Sequence, residues 1–236
     1  MTISIIVPAY KEKNNIKILI NKINSEIEIK NIIIVDDSPQ KEIEQEINHF
    51  NNVIYIYRGE KLGRGSAILE GLKYSLDNNN DKIFIEMDAD LSHDPNEIKE
   101  NINLFKEKNL DLLISSRYLP ESSIINWSIQ RKVFSFLANR LAKFLLKVPV
   151  SDYTNGYRVY SHEAAVHIVK SCGRIGDGFI ILSEILVELY FSNFKIDETH
   201  SKFVNRVRGE SSVNLKEIIY SLIGLLKIYK LKKKLN

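Results

Sequence analysis

Apolar positions along the chain follow two rhythms that take turns. Short runs rich in Ile and Val occupy 3–7, 32–35, 53–57, 83–87 and 111–114, and segments with helical spacing lie between them. The runs are continuous rather than alternating with polar residues, as expected for parallel strands covered by helices on both faces. The spacing predicts helices over 14–29, 40–49, 64–77 and 95–108. The fold class is therefore α/β, with a mostly parallel sheet. In open sheets of this kind ligands sit beyond the carboxyl ends of the strands. The residues after each run then carry the chemistry: Pro8-Ala9-Tyr10-Lys11-Glu12, Asp36-Asp37-Ser38, Asp88-Ala89-Asp90 and Ser115-Ser116-Arg117.

Two later segments have a different pattern. Region 126–150 holds Arg131, Lys132, Arg140, Lys143 and Lys147 and no acid, while Val133, Phe134, Leu137, Leu141, Phe144, Leu145 and Val148 follow helical spacing on one face. Such a helix can lie in a lipid headgroup layer or pack on a core with its basic face solvated. From Val213 to Asn236, Ile218, Ile219, Leu222, Ile223, Leu225, Leu226 and Ile228 precede a lysine run. That apolar surface is too wide for a free tail and is expected to bury itself in protein, lipid or a second copy. The division expected is a domain over 1–212, with an interface helix at 126–150, and a basic amphipathic membrane-associating helix over 213–236.

Composition narrows the picture further. With 236 residues, 44% of them hydrophobic, the chain can bury one large core and a small appendage. A net charge of +3 is small, and no nucleic-acid partner is expected. The single Cys172 excludes an internal disulfide and a cysteine zinc site. The start MTISIIVPAY has no basic leader, so no secretory signal is expected, and no stretch reaches the roughly 18 apolar residues of a spanning helix. The expected location is cytoplasmic, peripheral on a membrane.

Asp88 and Asp90 carry the most chemistry, because two carboxylates one residue apart at a strand end can both face a divalent cation that also binds phosphate oxygens. The competing reading is an acidic turn capping the helix that starts at Asp94-Pro95. For Asp36-Asp37 a nucleotide contact and an Asx-type turn stand level. Gly59 to Ala67 contains a G-x-G that matches no phosphate-loop pattern, and its simplest reading is a tight strand-to-helix turn. His49, His93, His162, His167 and His200 lack metal-ligand spacing, with His162 and His167 expected on a helix surface. Trp127 and Phe191 are expected to be packing or interface residues. Glu184 sits in an apolar run, where it either braces an arginine or stays partly exposed.

The ordered segments IIVPAYKE, IIIVDDSPQ, GRGSAILEGL, IEMDADLSHDP, SSRY, SDYTNGYRVY and FVNRVRGESS resemble glycosyltransferase family 2, specifically its polyprenol-phosphate (dolichol-phosphate mannosyltransferase) type. The resemblance runs over nearly the whole chain. It implies a GT-A fold, a nucleotide-sugar donor, Mg²⁺ or Mn²⁺, and inversion at the anomeric carbon. By position it makes Pro8, Tyr10, Glu12, Val35 and Asp37 nucleoside contacts, and Asp88 and Asp90 metal and diphosphate ligands with Ala89 against the donor. Arg117, Arg131 and Ser135 match acceptor-phosphate residues, Arg117 and Arg206 match donor contacts, and Asp90, Arg117 and Arg131 carry the reaction. Asp152, Thr154 and Arg158 match structural supports. The chain departs from the pattern at Lys11, at the glycine-free VDDSPQ, and where Asp177 and Ser212 replace lysines.

What the resemblance implies is hexose transfer, most simply mannose from GDP-mannose, to dolichyl or polyprenyl phosphate at a membrane surface. UDP-glucose as donor, a soluble acceptor and a non-catalytic binding protein remain as alternatives, and a membrane partner subunit or a homodimer is left open.

Overall fold

The computed structural model describes residues 2–205 and 215–235, with side chains in the last helix described for 223–233. Five strands appear where the apolar runs predicted them: β1 (Ile3–Ala9), β2 (Asn31–Asp36), β3 (Val53–Tyr57), β4 (Ile83–Glu86) and β5 (Leu112–Ser116). Between them lie α1 (Lys13–Glu26), a single turn α2 (Glu44–Ile47), α3 (Arg64–Asn78) and α4 (Ile98–Glu107), the last entered through a 3-10 turn at Pro95–Glu97. The helix expected over 40–49 shrinks to one turn because only Ile43 and Ile47 are buried there, too narrow a face to hold a longer helix.

Past β5 the chain forms β6 (Ser123–Ile125), α5 (Ile129–Leu146), β7 (Arg158–Ser161), α6 (His162–Ser171), α7 (Ile180–Phe191), β8 (Ile196–His200), β9 (Lys202–Val204) and α8 (Leu215–Leu235). The main sheet has the order β3-β2-β1-β4-β7-β5-β8. All its pairings are parallel except those of β7, which runs antiparallel between β4 and β5. A small second sheet pairs β6 with β9.

Helices cover both faces, as predicted. On one, Ile16, Leu19, Ile20 and Ile23 of α1 and Ile98, Ile102 and Phe105 of α4 pack on Ile5, Val7, Ile32, Ile34 and Ile85. On the other, α3, α6 and α7 pack on Ile6, Phe84, Leu112 and Ile114. Leu225 and Ile228 of α8 join this second core, packed against α5 and α7, so the C-terminal helix buries part of its apolar surface in protein. Ile223 and Leu226 remain exposed.

Of the two orientations open to α5, its apolar stripe faces outward rather than onto the core. Its buried face is Asn139, Ala142 and Leu146, while Ile129, Val133, Phe134, Phe136, Leu137, Leu141 and Phe144 are exposed, Ile129 at 80% and Phe144 at 68%. The N-terminus of α5 is fixed by Ser128, whose side chain accepts from the Arg131 N–H. Among the described residues no helix is long and apolar enough to cross a membrane.

Candidate active site

The carboxyl ends of β1, β2, β4 and β5 meet along one edge, which is where the sequence placed its polar residues. The first two loops are tied together: Ser38 Oγ accepts from the Lys11 N–H at 2.8 Å, and Asp36 Oδ1 accepts from both the N–H and the hydroxyl of Ser38. Asp36 thus forms the Asx-type turn, and its other oxygen accepts from the Tyr55 hydroxyl at 2.8 Å. Asp37 is buried beside Arg58, and its Oδ2 accepts from the N–H groups of Leu62 and Gly63 at 2.9 and 2.8 Å. Its carboxylate therefore fixes the glycine turn before α3. Gly63 has φ +104, which fits the tight turn expected there.

Tyr10 stands at the edge, 38% exposed, with Lys61 and Lys11 ammonium groups 4.9 and 5.4 Å from its ring centre. Pro8 is half-buried, and Glu12 accepts from the Asn15 amide at 2.7 Å. The Val35 side chain is fully buried with Ile33 and Ala67 beneath the edge, so any contact it makes with a nucleoside would be through its backbone. Ala89 is likewise buried, as part of the core under α1 and α4.

Asp88 and Asp90 follow β4 and are both partly accessible. The loop is held by Asp90 Oδ1 accepting from the Ser92 N–H at 3.0 Å, and by Asp94 accepting from the Asn96 N–H at 3.1 Å. The helix cap is therefore made by Asp94, which leaves the acidic pair for another task. His93, expected to be unremarkable, is buried directly behind it. Its Nδ1 accepts from the Asp88 N–H, and its Nε2 bonds Asn155 Oδ1, both at 3.0 Å. That network puts the ring proton on Nε2, and burial holds the imidazole below its usual pKa, so the ring is neutral.

Arg64 was missed. The first residue of α3, it sends its guanidinium between two acids: Nε donates to Asp88 Oδ1 at 2.8 Å, Nη2 lies 2.7 Å from the same oxygen, and Nη1 lies 2.6 Å from Glu86 Oε1. Burial alone would raise the pKa of Asp88, but Arg64 outweighs it and holds the carboxyl below the ordinary range. One signal was available: a cation in the first turn of a helix opposes the macrodipole and calls for acidic partners.

Across the edge, Arg117 follows β5 and is buried in an ion pair. Its Nε and Nη2 grip the two oxygens of Asp152 at 2.8 Å each, Nη2 also donates to Thr154 Oγ1 at 2.7 Å, and its backbone N–H donates to Asp152 at 3.0 Å. Nη1 enters none of these bonds. Trp127 is sandwiched, its ring 5.5 Å from the Arg117 guanidinium and 4.1 Å from that of Arg131. Arg131 also donates to Asn205 Oδ1 at 3.0 Å, and one helical turn further Ser135 accepts from the Tyr118 hydroxyl at 2.6 Å. The structure thus brings Arg117, Arg131 and Ser135 to one place. Arg206 and Ser212 lie outside the described residues.

The supports are also explained. Arg158 is fully buried and donates to the carbonyls of Asn155, Leu182 and Tyr153. Glu184 is buried and accepts from the N–H groups of Gly173 and Arg174 at 3.2 Å each, so it braces a backbone turn rather than an arginine side chain. Burial raises its pKa.

Among the described residues no group of three or more His, Cys, Asp and Glu could hold a metal by itself. Two carboxylates on one loop fit a hard cation that takes its other ligands from phosphate oxygens and water, which is how Mg²⁺ is usually held and suits Mn²⁺ too.

Comparison with known proteins identifies the family and the fold. The model of the family "Glycosyl transferase family 2" matches residues 4–168. The chain is 28% identical over 226 residues to a polyprenol monophosphomannose synthase of Mycolicibacterium smegmatis, covering 92% of this chain and 84% of the relative. It is 30% identical over 238 residues to a dolichol-phosphate mannosyltransferase of Pyrococcus furiosus, covering 98% of this chain and 64% of that longer relative. Among solved structures, glucosyl-3-phosphoglycerate synthase of Mycobacterium tuberculosis with Mn²⁺, UDP-glucose and phosphoglyceric acid superposes with a TM-score of 0.70 at 18% identity, covering 97% of this chain and 80% of that one. The same enzyme with Mg²⁺ and UDP gives 0.69 at 18% identity, with 97% and 79% covered. The shared fold is GT-A.

Proposed function

The chain belongs to glycosyl transferase family 2, and from that premise we propose that this glycosyltransferase moves mannose from GDP-mannose to a polyprenyl or dolichyl phosphate at a membrane surface. The observation that carries the reading is one edge with two chemistries: Asp88 and Asp90 on one side, Arg117, Arg131 and Ser135 on the other. The relatives named as polyprenol and dolichol phosphate mannosyl enzymes favour the sugar and the lipid. The donor would lie over β1, β2 and β4, with Tyr10, Pro8 and Glu12 nearest the nucleoside. Asp88 and Asp90 would hold a Mg²⁺ or Mn²⁺ ion, which when bound neutralises charge building on the departing diphosphate.

A lipid monophosphate is already anionic near neutral pH, so the nucleophile needs no base and the protein acts by positioning. Arg131, steadied on Trp127, and Nη1 of Arg117 are suited to gripping that phosphate. The apolar residues of α5 lie exposed next to Arg131, flanked by Lys132, Arg140 and Lys147, which also are exposed. That combination suits a headgroup layer, where α5 would rest while the acceptor phosphate enters beside it. In this reading the protein works as a peripheral enzyme on the cytoplasmic face.

The test is transfer of radiolabel from GDP-mannose and, in parallel, UDP-glucose into organic-extractable product, with a short polyprenyl phosphate and Mg²⁺ or Mn²⁺. GDP-mannose should label the lipid. Label from UDP-glucose alone would replace the sugar, and no labelled lipid despite intact nucleotide binding would overturn the acceptor. Arg131→Ala should raise KM for the lipid phosphate by about tenfold, the size of one lost charge-assisted contact, with nucleotide affinity little changed.

A further inference from the structure

The contact between Arg64 and the acidic loop is short but incomplete. Although Nη1 and Nη2 lie within 2.6 and 2.7 Å of carboxylate oxygens, neither nitrogen makes an aligned hydrogen bond, nor does Glu86 Oε1. The Arg64 side chain is only 10% exposed, so these donors have no water to turn to. Its seat is built for it. A Cβ on Gly156 would come 1.8 Å from Nη2, and the Phe179 ring covers the guanidinium at 5.3 Å. Glu86 is held from the far side by the Tyr160 hydroxyl at 2.6 Å. Asp88 is split by this arrangement: Oδ1 faces Arg64, while Oδ2 is 3.9 Å from His93 Nε2 and accepts no hydrogen bond among the described residues.

Resting on the assignment of Asp88 and Asp90 to a divalent metal, we propose that Arg64 is a resident counter-cation that makes metal binding conditional on the donor's diphosphate. Without nucleotide, a dication on Asp88 Oδ2 meets a fixed positive charge across the same carboxylate, and repulsion at that range weakens its binding. The arriving diphosphate carries enough negative charge to offset both cations, Arg64 acting on it through the field because Nη1 and Nη2 are buried. Arg64 is in this sense a positioning residue for metal and donor, acting through Asp88 rather than by touching either. Metal and donor then bind together.

The experiment titrates Mn²⁺ into the full chain and follows the free aqueous ion by its paramagnetic resonance signal, without nucleotide and with GDP or UDP. The native protein should take up Mn²⁺ weakly alone and much more tightly with nucleotide. Arg64→Met should tighten Mn²⁺ binding without nucleotide by about tenfold, as expected for one removed charge near a dication, and should weaken nucleotide binding. Arg64→Lys should stay near native in the first respect. Opposite signs for metal and nucleotide are what a purely structural role cannot give, so parallel losses, or an unchanged Mn²⁺ affinity, would overturn the proposal. Where the single variant does not fold, Arg64→Met with Glu86→Gln removes the charge and its buried partner together, and the tighter metal binding should persist. If the native chain takes up no Mn²⁺ even with nucleotide, the metal assignment itself falls, a result distinct from a native-like Arg64→Met.

Discussion

Two arginine–aspartate pairs stand at the same sheet edge and are built to opposite standards. Arg117 and Asp152 meet in a two-point grip with Thr154 and a backbone N–H completing the set. Arg64 and Asp88 are equally close, yet the Arg64 Nη groups lack aligned bonds, and only one Asp88 oxygen faces the arginine, the other lying 3.9 Å from His93 Nε2. The first pair is aligned by the fold, with Nη1 of Arg117 left over. The second is close but unaligned. The difference teaches that closeness of charge alone does not tell what an ion pair does: the grip on Asp152 aims Arg117 and leaves Nη1 over, whereas Arg64 is close to its acids without aligned Nη bonds.

The hardest way to break this contrast is Asp152→Ala. It strands a buried guanidinium, and stability should fall by about 3–5 kcal/mol in urea unfolding. Next comes Asp90→Ala, where metal-dependent transfer should drop by about a hundredfold or more while the unfolding midpoint barely moves. Full activity there would remove the metal from Asp90. Gly156→Ala should cost less, about 1–3 kcal/mol, because the new methyl displaces the flexible end of Arg64 rather than backbone. Its Mn²⁺ uptake without nucleotide should rise, as in Arg64→Met. The smallest effect concerns acid. Burial would raise the pKa of Asp152, but Arg117 outweighs it and leaves the folded-state value below the usual carboxylate one. Its contribution is therefore whole above about pH 4 and fades as pH falls through the folded value. Unfolding free energy followed from pH 7 to pH 3 should show this loss only at the acid end, and Asp152→Asn should flatten it.

Much of the fold was legible because β1, β2, β4 and β5 are covered on both faces, and such strands must be apolar throughout. β7 and β8 escaped for the converse reason. Arg158–Ser161 is short and opens on a charge that is satisfied by carbonyls, and Ile196–His200 is an edge strand of mostly polar residues. For α5 the spacing gave the helix but not its direction. Its inward face is made by Asn139 and Ala142, small or polar residues that a hydrophobic count ignores.

The same division holds at the site. The placement of Asp88 and Asp90 at the edge was readable from their position after a strand, and the nearness of Arg131 and Ser135 to Arg117 and Tyr118 from the family resemblance. Val35 was carried over by that resemblance, but burial removes its side chain from any surface. Arg64, Glu86 and His93 were hidden because their roles depend on which loops meet in space. A glycine-flanked arginine looks like part of a turn until Gly156, distant in sequence, is seen to make room for it.

The antiparallel β7 has a consequence for the nascent chain. Among the described residues β5 pairs only with β7 and β8, both of which leave the ribosome after it. Until Ser161 has emerged, Ile83–Glu86 is a bare apolar edge and Leu112–Ser116 has no partner in the main sheet. Each is the kind of strand that recruits a neighbouring molecule. Any truncation that stops short of β7 should therefore precipitate rather than fold into a smaller donor-binding unit, and the interval between the emergence of β4 and that of β7 is when this protein most needs a chaperone.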